Sequence, residues 1–217
     1  MQGRKTLALL VAALVVFSSL ALAACGGDDS TSGSAKTTKA NAIDRAFVTG
    51  MIPHHESAIQ MAKLAKKNAA REQITMLADD IIAAQAAEIT QLKSIDDRLS
   101  AAGADVGDLG ITDAAMGMHG DIDALASRAG FDRTFIDMMI PHHQGAIRMA
   151  RIELAKGGDV ALKKIATGII AAQSREIEQM NNWRIDWYGA ASPSGGIPVG
   201  DGTNSSDGSM GSMNHSG

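Results

Sequence analysis

From Asn41 onward the chain repeats apolar residues at spacings of three and four, the pattern of helices that bury one face. Phe47, Met51, His54, Ala58, Met61, Ala62 and Ala65 make one stripe, with Glu56, Gln60, Lys63 and Lys67 on the opposite side. Ile74, Leu77, Ala78, Ile81, Ile82, Gln85, Ile89 and Leu92 make a second. The break between them, near Asn68 to Arg71, is short, so the two helices are expected to run antiparallel as neighbours. Nothing between residues 41 and 188 alternates with period two, which argues against a sheet.

The pattern returns 88 residues later. Phe47 to Ala62, with Met51-Ile52-Pro53-His54-His55 at its centre, aligns with Phe135 to Ala150 and its Met139-Ile140-Pro141-His142-His143. Ile81 to Leu92 aligns with Ile169 to Met180 at the same offset and without a gap, which identifies an internal duplication with units of about 43–99 and 131–187. The second unit turns at Gly157-Gly158-Asp159. The expected fold is all-α: duplicated helical hairpins pairing into a four-helix bundle. Leu99 to Gly130 is long for a bundle connection and is expected to cross the bundle, with a short helix around Asp121 to Arg128.

The ends read differently. Arg4 and Lys5, an apolar run from Leu7 to Val16, and small residues before Cys25 in Leu22-Ala23-Ala24-Cys25 make residues 1–24 an expected lipoprotein signal peptide. Cys25 is then the lipidated first residue of the mature chain. It attaches the protein to the membrane on the outer side of the cytoplasmic membrane or elsewhere in the envelope. As the single cysteine, it excludes a disulfide within one chain. Residues 25–40 read as a flexible tether, and residues 189–217, rich in Gly and Ser and carrying Met210, Met213 and His215, as a disordered tail. Loss of residues 1–24 removes two basic residues and takes the net charge from −4 to −6, so nucleic acid is not an expected partner. The pattern leaves the oligomeric state open.

The candidate chemistry lies on the stripes. Pro53 and Pro141 each remove a backbone donor inside a helical pattern, so each helix should kink or start there. At about 100° per residue, Met51 falls between His54 and His55, and Met61 falls on the His54 side. Imidazole and thioether groups on one apolar face suit a soft or borderline metal, and the twelve methionines favour copper over zinc. The candidate ligands are His54, His55, His142, His143, Met51, Met139, Met61, Met149, Met116, Met118 and His119. Gln85, Glu88, Gln173 and Glu176 sit in or at the edge of the second stripe of each unit and are expected to partner the histidines. Three functions remain: copper binding without catalysis, an interaction module whose Pro-His-His motifs only stabilise kinks while its acidic surface meets an envelope protein, and a metal-dependent oxidoreductase.

The two Met-Ile-Pro-His-His blocks, each followed by Ala-Ile-x-Met-Ala and then Ile-x-x-x-Gln-x-x-Glu-Ile on the next helix, resemble the DUF305 family. That resemblance implies a ferritin-like, usually exported helical bundle in a family with some members linked to copper binding and tolerance. Met116-Gly117-Met118-His119 resembles the Met-Pro-Gly-Met stretch between the family's halves, without its proline. Ferritin-like di-iron sites use Glu-x-x-His pairs, and this sequence contains none.

Overall fold

The computed structural model describes residues 41–118 and 120–200. The signal peptide, Cys25, the tether, His119 and the tail residues Met210, Met213 and His215 lie outside the described residues. Among the described residues five helices follow in order: α1 (Ala42–Asn68), α2 (Glu72–Ala101), α3 (Ile122–Leu125), α4 (Phe131–Lys156) and α5 (Val160–Tyr188). No strand occurs among the described residues. α1 pairs with α2 and α4 with α5, and the two hairpins meet mainly through α1 and α4. Pro53 and Pro141 lie well inside α1 and α4, so neither helix starts at its proline.

Helix ends explain how the hairpins lock. Asn41 and Asp44 form a reciprocal cap at the start of α1: the Asp44 N–H donates to Asn41 Oδ1 at 2.9 Å and the Asn41 N–H to Asp44 Oδ2 at 3.0 Å. The free oxygen of buried Asp44 accepts from the N–H groups of Gly158 (2.7 Å) and Asp159 (3.0 Å), in the turn of the other hairpin. The duplication repeats this contact. Asp132, the mate of Asp44, accepts from the Ala70 N–H at 2.9 Å in the first hairpin's turn, and Arg71 pairs with it at 3.1 Å. Each hairpin thus caps the turn of its neighbour and leaves none of those buried carboxylate contacts unpaid by a donor.

The interior divides into two apolar clusters. One holds Met61, Met139, Phe135 and Ile140; the other holds Phe47, Met51, Met149 and Leu162. α4 is buried on more of its girth than α1, because two further segments cover it. The first is the connection after α2. Its backbone presses on α4 so closely that a Cβ on Gly145 would overlap the Met116 carbonyl, and one on Gly117 (φ 73°) would overlap the Pro141 carbonyl.

The second is a correction to the expected tail. Gly189, in the left-handed region at φ 81°, ends α5, and Ala190 to Gly200 then lie along α4 and α5 rather than leaving the domain. Gln144 donates to the Ser194 and Gly196 carbonyls at 2.8 and 2.6 Å, Asn181 donates to Gly195 at 2.8 Å, and Arg151 reaches Pro198 and Gly200. Glycine- and serine-rich chain stays ordered here because helix side chains satisfy its carbonyls.

Candidate metal site

The Pro-His-His motifs meet where α1 crosses α4, between the two apolar clusters. All four histidines are buried. The His54 and His142 rings lie 3.7 Å apart between centroids, tilted by 35°. His55 and His143 stand outward of this pair, 6.4 and 6.3 Å from His54 and His142 respectively. Each outer histidine meets a carboxylate of the adjoining helix: His55 Nε2 lies 2.8 Å from Glu88 Oε2, and His143 Nε2 lies 2.6 Å from Glu176 Oε2. A carboxylate accepts, so Nε2 carries the hydrogen of each contact.

His54 Nε2 lies 2.8 Å from the Met116 carbonyl and therefore donates to it, leaving Nδ1 bare. Neither His142 nitrogen has a hydrogen-bond partner. Burial pushes the His54 pKa down to about 3, against the opposing pull of the Met116 carbonyl. Burial also holds His142 well below the usual imidazole range; His54, His143 and His55 add to the effect, and the nearby His54 backbone opposes it. Both rings are consequently neutral at ordinary pH, the form in which imidazole ligates metal.

His142 opens onto a cavity of about 80 Å³ whose wall includes Met61, Met118, Met138, Ser57 and Ile122, with Gly117 and Gly120 at its lip. Sites for organic ligands usually run to ~300 Å³ or more, so this space suits an ion. Among the described residues, no three His, Cys, Asp or Glu side chains converge in a geometry that could hold a metal. Among the described residues, the polar or sulfur-bearing side chains beside His142 in this wall are the thioethers of Met61, Met118 and Met138 and the hydroxyl of Ser57.

Of the candidate ligands, the cavity gathers Met61, Met118 and His142. Met51, Met139 and Met149 do not line it; all three are fully buried among apolar side chains of the two clusters. Met116 contributes its carbonyl, while its side chain packs on the second cluster. Gln85 and Gln173 are buried at matching positions, and neither side-chain carbonyl has a hydrogen-bond partner. Met138 is a cavity residue that the motif reasoning passed over. It stands one turn before His142, at i−4, where a helix places two side chains together. That spacing was the available signal, but the repeat directs attention to Met51 and Met139, which match, and the mate of Met138 is Gly50.

The sequence matches the model of the family described as Domain of unknown function (DUF305) over residues 26–96 and 106–216. Among solved structures, the protein is similar to CopM in its Cu(I)-bound form, with 37% identity and a TM-score of 0.58 over 67% of this chain and 98% of that one. CopM is also solved in Cu(II)-bound, Ag-bound and apo forms. A DUF305 fragment from Deinococcus radiodurans is 26% identical, with a TM-score of 0.56 over 66% of this chain and 95% of that one. A shorter stretch of 51 residues is 42% identical to an uncharacterized protein of Acanthamoeba polyphaga mimivirus; it amounts to 24% of this chain and 34% of that protein, so the match spans about a third of the relative's length.

Proposed function

The chain belongs to the DUF305 family, and from that premise we propose that it is a copper-binding lipoprotein of the cell envelope that sequesters the ion or passes it on. The observation that carries the reading is the His142 cavity, where a buried imidazole with two unpartnered nitrogens adjoins three methionines. A buried polar atom without a partner costs about 1–3 kcal/mol, a penalty that a bound ion removes. Thioether and imidazole are the donors copper prefers, whereas zinc sites more often recruit thiolate or carboxylate. The similarity to CopM, solved with Cu(I) and Cu(II), supports the same ion.

The outer histidines have a supporting part in this reading. Glu88 and Glu176 orient the rings of His55 and His143 through their contacts at Nε2 and so hold the histidine layer in place. The Leu22-Ala23-Ala24-Cys25 sequence supports attachment through a lipid on Cys25. No helix among the described residues is long and apolar enough to cross a membrane.

The test is metal retention by the purified mature protein after separate exposure to Cu(I), Cu(II) and Zn(II), followed by dialysis and elemental analysis. Retention of copper in stoichiometric amount, with zinc lost, is the expected result. A protein that keeps no copper in either oxidation state overturns the proposal.

A further inference from the structure

A duplicated chain with two Pro-His-His motifs suggests two equivalent metal sites, yet the two halves are not equivalent around their inner histidines. His142 lines the cavity with both ring nitrogens unpartnered, while its mate His54 has committed Nε2 to the Met116 carbonyl. Met61 stands in the cavity wall, while its mate Met149 is sealed in an apolar cluster. Met138 adds a third sulfur on one side; at the corresponding place, Gly50, a methyl group would lie 3.7 Å from the Met149 sulfur and 3.9 Å from the Leu109 side chain. Leu109 and Met116 both belong to the connection between the halves; at the 88-residue offset Leu109 corresponds to Ile197, which packs on the other apolar cluster, while the position that matches Met116 lies outside the described residues.

The connection is tied down at the cavity. His54 holds it from α1 through the Met116 carbonyl, and Arg148 holds it from α4 through the Ala115 carbonyl at 3.0 Å. Two residues beyond Met116, Met118 reaches the cavity while remaining 42% exposed, as a ligand at a mouth should be.

We propose that the bundle holds one soft monovalent cation of the Cu(I) and Ag(I) class, bound by the sulfurs of Met61, Met118 and Met138 and the imidazole of His142. His54 is a positioning residue that straps the connection, and with it Met118, across the site. The inference rests on the copper reading and narrows it to one half of the molecule. Three thioethers and a neutral imidazole bring no charge of their own, so they suit a soft ion of charge +1 better than a divalent one. A divalent ion would leave more uncompensated charge in the interior.

The experiment titrates Ag(I) in chloride-free buffer, and Cu(I) against a competing chelator, into the mature protein and into variants paired as mates. Met61→Leu and Met149→Leu are both close to isosteric, so fold is retained in each. The expected result is that Met61→Leu removes one tightly bound ion and Met149→Leu removes none. His142→Gln should weaken affinity at least about 100-fold, whereas His54→Gln, whose amide still donates to the Met116 carbonyl, stays within about threefold of the unmodified protein. His54→Leu, which cannot donate, should speed amide hydrogen exchange across Thr112–Met118 with and without metal, a change that His142→Gln does not produce. Equal losses from the two members of either pair overturn the single-site assignment even where copper binds. Absence of any tight ion in the unmodified protein overturns the copper reading as well. Should His142→Gln fail to fold, Met138→Leu replaces it and is expected to remove the same ion.

Discussion

The carboxyl of Glu153 offers a quantitative test of how the two hairpins are locked. Asp44 and Asp132 are mates, but Asp132 has Arg71 beside it at 3.1 Å, whereas the side chain that closes on Asp44 is another acid, Glu153, whose own mate is Ala65. Glu153 has no exposed surface, and no N–H or O–H donor of another residue reaches either of its oxygens, so a hydrogen bond with Asp44 requires a carboxyl proton. Burial, then the charge of Asp44 and a hydrogen bond with it, push the Glu153 pKa up to about 8 from an ordinary 4.5; Asp159 adds to the rise and Lys163 opposes it. The folded protein therefore keeps a proton that the unfolded chain releases above pH 4.5. Stability is full below that value, falls as pH climbs toward 8 and levels off beyond. At ~1.36 kcal/mol per unit the whole rise corresponds to roughly 4–5 kcal/mol. Relaxation of the surrounding turn and the high effective dielectric of even buried protein sites scale this down, so about 2 kcal/mol is expected. Glu153→Gln keeps a donor toward Asp44 and removes the ionisation. Its stability should match the unmodified protein near pH 4.5 and exceed it by about 2 kcal/mol at pH 8, read from denaturant midpoints followed by circular dichroism. Parallel stability curves for the two proteins from pH 4.5 to 9 would refute the retention of a proton on Glu153.

Other outcomes follow from features already described. Cys25→Ser is expected to move the protein from the membrane to the soluble fraction with unchanged helical content, and persistence in the membrane pellet after a high-salt wash contradicts lipid attachment. Met118→Ala should weaken copper affinity roughly tenfold, about 1.4 kcal/mol, with no loss of thermal stability, since the side chain is 42% exposed and contributes little to the core. Gly145→Ala forces a methyl group onto the Met116 carbonyl and should cost about 1–3 kcal/mol in denaturant unfolding; a neutral effect would show that the connection yields easily.

The helical period and the 88-residue offset contain most of the fold, because stripes such as Phe47 to Ala65 and Ile74 to Leu92 can be buried in few ways once each is known to occur twice. The turns at Asn68 to Arg71 and Gly157 to Asp159 separate α1 from α2 and α4 from α5. The position of Glu88 and Glu176 beside the apolar stripe is also a matter of helical phase, and they stand 2.8 and 2.6 Å from His55 and His143. What local pattern conceals is asymmetry. Reasoning by repeat weighs Met139 above Met138, since only Met139 has a matching methionine, yet Met138 is the one in the cavity wall. The connection that makes the halves differ is held by partners distant in sequence, 62 residues in the case of His54 and Met116. Ala190 to Gly200 are hidden from a compositional reading for the same reason: their ordering depends on Gln144, Arg151 and Asn181, which belong to helices and not to the segment itself.

The reciprocal clasp between Asp44 and Gly158 on one side and Asp132 and Ala70 on the other has a consequence for how such a molecule can be assembled. A residue of the first half touches its counterpart's neighbour in the second, and the reverse contact is made by the mates, which is the relation an isologous interface imposes. Two free hairpins, each of one unit, have all the groups needed to make both clasps and to stack two identical histidines as a twofold homodimer. Covalent fusion adds the one element a homodimer cannot possess, a single connecting strand, and with it the freedom for one inner histidine to become structural while the other stays open.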